Sequence, residues 1–134
     1  MGSMARSVLV VDDNDDVREL LIHILRAEGV ATFGAADAVS ALAILNSNPV
    51  DLLLLDVMMP GISGIELLSK IRVTESEYQD IPIAMITALS AQDEVAKAIE
   101  AGATTYLVKP FRGADIRNLL TRVFESSDEI KERI

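Results

Sequence analysis

An α/β fold, a doubly wound five-stranded parallel sheet with helices on both faces, is predicted by three observations. Five short apolar runs recur along the chain, and stretches with helical spacing separate them. The runs are apolar almost throughout, as strands buried on both faces must be. Four of the five end on a polar or charged residue, which places a chemical edge at the carboxyl end of the sheet.

SVLVVD, residues 7–12, is the first strand and is rich in β-branched residues. Val17, Leu20, Leu21, Ile24 and Leu25 then share one helical face. VATF at 30–33 reads as a weaker strand, followed by a helix with Ala38, Ala41, Leu42 and Leu45 inward. DLLLLD at 51–56 is the third strand, and Gly64, Leu67, Leu68 and Ile71 form the face of the third helix. TESEYQD, residues 74–80, is polar and makes the longest connection. IPIAMIT at 81–87 is the fourth strand, with Pro82 tolerated only at its start. Ser90 with Asp93 gives a capping-box-like start to helix four, and Gly102 ends it. TTYLVK at 104–109 is the fifth strand; Ile116, Leu119, Leu120, Val123 and Phe124 give the last helix a wide apolar face. Right-handed crossovers then favour the strand order 2-1-3-4-5, the flavodoxin-like order.

A chain of 134 residues, half of them hydrophobic, forms one domain with a real core. Met1-Gly2-Ser3 reads as an expression scar that makes Met4 the natural start, the domain itself covering residues 4–125. No run reaches membrane-span length, no signal peptide precedes the domain, and cysteine is absent, so a cytoplasmic location is expected. Against 12 Lys and Arg stand 21 Asp and Glu, a net charge of −9. That balance repels phosphate backbones and disfavours nucleic acid; proteins or a metal ion are the expected partners.

The first strand ends at Asp12-Asp13, the third at Asp56, the fourth at Thr87 and the fifth at Lys109. In an open parallel sheet, ligand sites lie outside the carboxyl ends where the strand order reverses. Three carboxylates converging there repel one another unless a cation sits among them. Hard oxygen ligands with room for water suit Mg²⁺, with Mn²⁺ as a substitute. A carboxylate flanked by Mg²⁺, a lysine and a hydroxyl is set up to receive a phosphoryl group, with Asp56 as nucleophile.

VLVVDDN at 8–14, LLLLDVMMPGISG at 52–64, MITA at 85–88 and YLVKPF at 106–111 together resemble the response-regulator receiver domains of two-component signalling. The resemblance spans about residues 7–125. It implies that Asp56 accepts phosphate from a phosphohistidine on a sensor kinase or histidine phosphotransfer protein. Asp13 and Asp56 would bind Mg²⁺ directly, Asp12 often through water, and the Met58 backbone carbonyl would be a further ligand. Thr87 and Lys109 would grip the phosphoryl oxygens, and Tyr106 would move with Thr87, altering the surface of helix four, strand five and helix five. The Lys109-Pro110 bond is typically cis in that family. The positions two after the acceptor and two after the hydroxyl, which vary across that family and tune dephosphorylation there, are the apolar Met58 and Leu89 here; the resemblance then implies a phosphoryl group of moderate to long life.

Two rival chemistries lack their residues. A flavin or dinucleotide module needs a phosphate cradle after the first strand, where this chain has DDNDDV. A phosphatase of the haloacid-dehalogenase type needs a second Asp two residues after the nucleophile, where Met58 stands. A degenerate receiver that serves only as a docking module is the alternative. His23, the one histidine, falls on the solvent side of the first helix, and Met58-Met59 reads as loop packing. Ile116, Leu120, Val123, Ser127, Ile130 and Ile134 step by fours and threes like a coiled-coil seam. Residues 126–134 are therefore either a helical extension, supporting a weak homodimer or leading into an output module, or a plain linker. A weak homodimer through the face of helix four, strand five and helix five is the other such expectation.

Overall fold

The computed structural model describes residues 6–59, 61–88 and 92–133, with the backbone alone at residues 92 and 126–133. The elements are β1 (Ser7–Val11), α1 (Asp15–Ala27), β2 (Ala31–Ala35), α2 (Ala38–Ser47), β3 (Leu52–Asp56), α3 (Gly64–Val73), β4 (Ile83–Ala88), α4 (Gln92–Ala101), β5 (Thr105–Lys109) and α5 (Gly113–Arg133). All five strands are parallel, in the order β2-β1-β3-β4-β5 predicted from the alternation.

The period-two geometry of a strand divides the apolar runs between two cores. Leu9, Val11, Leu53, Leu55, Ile83 and Met85 pack with α2, α3 and Ala98 of α4 on one face. Val8, Val10, Leu52, Leu54, Ala84, Ile86 and Leu107 pack with α1 and α5 on the other. Leu52 to Leu55 are wholly buried, so β3 has no solvent face and needs no polar alternation. The helices begin where side chains accept their orphan amides: Asn14 caps α1, Asp37 caps α2 and Ser63 caps α3. Gly102, at φ +113°, ends α4 as predicted.

Several boundaries differ from the sequence reading, each for a local reason. β1 stops at Val11, and Asp12 and Asp13 lie in the following loop, the Asp12 N–H donating to the Ala35 carbonyl at 3.1 Å. β2 runs from Ala31 to Ala35, through Gly34, against the predicted 30–33. Asp51 stands outside β3, its carboxylate accepting from the Ser7 N–H at 2.8 Å. β4 starts after Pro82, at Ile83, and extends to Ala88. β5 starts at Thr105 because the Thr104 hydroxyl itself accepts the Ile83 N–H at 3.0 Å.

Leu20 is not core. It is half exposed, while the buried line of α1 is Leu21 and Leu25. Met58 points to solvent and only Met59 packs; His23 is exposed as expected. The first half of the heptad seam serves this domain's own core, with Ile116 and Leu120 buried against the sheet. The helix continues to Arg133. The side chains of Ser127 and Ile130, along with Ile134, Ser90, Leu89 and the N-terminal residues 1–5, lie outside the described residues.

α3 begins against the backbone of the strand end it follows. The Gly64 N–H donates to the Val57 carbonyl at 3.1 Å. A Cβ at this position would overlap the Asp56 carbonyl oxygen and stand 3.0 Å from Val57 Cα. Both obstacles are backbone, so no side chain can yield. Gly64→Ala is expected to lower stability by about 3 kcal/mol, read as a lower urea midpoint at constant slope. A loss below about 0.5 kcal/mol would show that the start of α3 slides freely past Asp56.

Candidate functional site

The two cores aim three strand ends at one spot. β3, buried along its length, delivers Asp56 as its last residue, itself only 5% exposed. Next to β3, β1 delivers Asp12, which is wholly buried. Asp12 is held by its N–H on Ala35 and by its Oδ1, which accepts the Asn14 N–H at 2.9 Å. Asp13 follows at the surface. From the far side β5 ends in Lys109, whose Nζ stands 3.8 Å from Asp12 Oδ2 and 3.9 Å from Asp56 Oδ1.

One carboxylate oxygen from each of Asp12, Asp13 and Asp56 lies within 4.8 Å of the others. Asp12 Oδ2 is buried with no hydrogen-bond partner among the described residues. Such an atom is costly unless something positive completes it. Lys109 supplies one charge against three. The Asp56 carboxyl is pushed up to about 6, chiefly by burial and then by the Asp12 carboxylate. The Lys109 ammonium and the Met58 N–H, which donates to Asp56 Oδ1 at 3.2 Å, oppose that rise without cancelling it. A set of hard oxygen donors, under-compensated and facing one another, fits a small divalent cation.

Of the residues singled out in the sequence, Asp12, Asp13, Asp56 and Lys109 are thus brought together. Thr87, on β4, is buried near the same edge, and its Oγ1 donates to the Ala88 carbonyl at 3.3 Å. Tyr106, on β5, is 43% exposed and stands apart from the carboxylates, beside a groove of about 790 Å³ between β5 and α5. The Lys109-Pro110 bond is cis. The sequence reading passed over two features: the Met58 N–H as a carboxylate partner and Arg18, whose Nη1 donates to the Asp12 carbonyl at 2.9 Å. An Arg three residues after Asp15 and six after Asp12 was a signal, although such spacing on an exposed helix start usually means an ordinary surface pair.

The raised Asp56 carboxyl has a definite consequence for stability. Between pH 4 and 6 the folded chain holds a proton on Asp56 that the unfolded chain has released, so this group favours folding most below pH 4. The contribution is lost as pH rises through about 6, and it amounts to roughly 3 kcal/mol. In EDTA, wild type is expected to lose stability relative to Asp56→Asn across that window and to be the less stable of the two at pH 7. Denaturant melts at a series of pH values check this; parallel profiles would place Asp56 in a solvated site.

Comparison with known proteins gives the same picture. The response regulator receiver domain family matches residues 8–121. The chemotaxis protein CheY-3 of Vibrio cholerae is 37% identical over 119 residues, 88% of this chain and 91% of that protein. The phosphate regulon transcriptional regulatory protein PhoB of Escherichia coli is 40% identical over 108 residues, 81% of this chain but 47% of that longer protein. The solved structure of Vibrio cholerae chemotaxis protein CheY4 superposes with a TM-score of 0.83 at 33% identity, covering 90% of this chain and 99% of that one. Since the matched span runs from β1 into α5 and includes every strand end described above, the chain belongs to the response regulator receiver domain family.

Proposed function

We propose that this receiver is a phosphorylation-activated switch that takes a phosphoryl group onto Asp56 from a phosphohistidine of a sensor histidine kinase or histidine phosphotransfer protein. The observation that carries the reading is the buried Asp56 carboxylate, set between an acidic pair and the Lys109 ammonium at 3.9 Å. In the transfer, an Asp56 oxygen forms a bond to phosphorus. The phosphorus–nitrogen bond breaks, and its electron pair stays on the departing imidazole. Lys109 neutralises charge spread over the equatorial oxygens, and the Thr87 hydroxyl offers a donor to one of them. Asp12, Asp13, Asp56 and the Met58 carbonyl would hold Mg²⁺, or Mn²⁺ in its place. When bound, the cation relieves the carboxylate repulsion and screens the incoming phosphoryl charge. The chain thereby catalyses only its own phosphorylation and slow autodephosphorylation.

Thr87 gives up its bond to Ala88 on turning toward the acceptor, and Tyr106 moves from its exposed position into the space left behind. The surface so altered is that of α4, β5 and α5, which would meet an output domain or effector protein. PhoB is by name a transcriptional regulator, and MtrA of Mycobacterium tuberculosis, 33% identical over 58% of its length, is a DNA-binding response regulator. An output module beyond this domain and a cytoplasmic location belong to the same proposal; no helix among the described residues is long and apolar enough to cross a membrane.

Incubation with acetyl phosphate and Mg²⁺ is expected to add one base-labile phosphoryl group, seen by intact mass, and Asp56→Asn to abolish it. Modification persisting in that variant would move the acceptor elsewhere. A folded wild type that takes none would support a docking-only receiver. Mg²⁺ is also expected to raise the melting temperature by mass action, and Asp13→Asn to respond less and to be the more stable of the two in EDTA. Equal responses from wild type and variant would remove the acidic cluster as the metal site.

A further inference from the structure

Three hydrogen bonds converge on Asp12, and a fourth ties one of its donors, Arg18, to the start of α1. Asp12 donates its N–H to Ala35 at 3.1 Å and accepts the Asn14 N–H on Oδ1 at 2.9 Å. Its carbonyl accepts from Arg18 Nη1 at 2.9 Å, and the same guanidinium reaches Asp15 Oδ1 through Nη2 at 2.6 Å. Arg18 is mostly buried for so long a side chain, at 18% exposure, while Asp15 is 76% exposed. Its stem lies along β2, where a Cβ on Gly34 would come within 3.4 Å of Arg18 Cδ and 2.8 Å of Ile22 Cδ1. A side chain there would first meet Ile22, with the Arg18 stem at ordinary contact distance beside it.

We propose that Arg18 is a positioning residue of the acidic loop: by fixing the peptide between Asp12 and Asp13, it sets the direction of both carboxylates toward Asp56. The proposal rests on the cation reading given above. The peptide plane is shared by the two aspartates, so turning it would swing both side chains. Mutual repulsion pushes in that direction, because carboxylates without a cation gain by splaying apart. Arg18 resists with a planar fork that engages two acceptors at once, which a lysine does not reproduce. With its backbone and Oδ1 engaged, Asp12 has Oδ2 left for the cavity, the atom without a hydrogen-bond partner among the described residues.

Charge alone predicts the opposite effect on the metal. Removing a cation from beside an acidic cluster should tighten Mg²⁺ binding, whereas removing a positioning group should weaken it. In Arg18→Met, which keeps an unbranched stem, Mg²⁺ affinity by calorimetry is expected to fall about tenfold, as for other groups that orient metal ligands. Arg18→Lys, which retains the charge, is expected to fall with it and not to stay near wild type. In EDTA, exchange of the Asn14 amide measured by NMR should quicken several-fold in both variants while amides at the C-terminal end of α1 keep their wild-type rates. Tighter or unchanged Mg²⁺ binding in Arg18→Met, or full retention by Arg18→Lys, would overturn the proposal. Should wild type itself fail to bind Mg²⁺, the cation reading falls. The Asn14 exchange then decides the role of Arg18: faster exchange keeps it as the anchor of the loop, and unchanged exchange removes that too.

Discussion

A carboxylate at the end of a fully buried strand is the constraint around which this domain is built. β3 contributes four leucines with no exposure and then Asp56, and the sheet gives the group little water. Its charged form is therefore disfavoured, first by desolvation and then by Asp12. Two groups oppose that penalty: the Met58 N–H and the Lys109 ammonium. Together they do not cancel the rise, and the Asp56 carboxyl stays pushed up to about 6. A folded core has enough stability to carry such a group, because two apolar layers close over both faces of the sheet.

The same architecture explains which parts of the fold could be read from the sequence. Strands buried on both faces advertise themselves as unbroken apolar runs, and β1, β3 and β4 were legible for that reason. Strand order followed from chain connectivity, because parallel strands joined by helices have few permitted arrangements. What failed was local. A threonine hydroxyl at 104 took a ladder hydrogen bond, and β5 starts one residue later than predicted. β2 runs through Gly34 to Ala35, two residues past its predicted end at Phe33. Leu20 carries the right periodicity but lies off the line of Leu21 and Leu25. In the tail, heptad spacing is ambiguous by nature: Ile116 and Leu120 fit a seam equally well when they face a sheet, and here they do.

The candidate site was legible to a greater depth than the boundaries, because strand-end position converts directly into proximity. Once β1, β3 and β5 are laid in order, Asp12, Asp56 and Lys109 share an edge without further information. Backbone donors and second-layer groups were invisible for the converse reason. The Met58 amide has no side-chain signature, and Arg18 becomes informative only when the path of its stem beneath the loop is known. Tyr106 marks the limit: its place on β5 is predictable, but its exposed orientation depends on how α5 packs beside it.

On the reading proposed above, the energetics of the acceptor and of the switch are of one scale. Moving a two-state equilibrium from mostly one form to mostly the other takes about 5.5 kcal/mol. The rise in the Asp56 carboxyl is equivalent to roughly 3 kcal/mol, and it comes from burial and one neighbouring charge. A phosphoryl group on that oxygen brings more charge and several more acceptors to the same enclosed place. Among the described residues the Thr87 hydroxyl has a 3.3 Å bond to its neighbour's carbonyl to give up, so a charged acceptor would compete well for it. Tyr106, already half in solvent, has little packing to lose on moving. On that reading the cost of change would be low at the two residues expected to move, Thr87 and Tyr106, while β3 and its buried core keep the acceptor in place. That division, a fixed acceptor beside weakly held neighbours, would let a local electrostatic event bias a distant surface without unfolding the core.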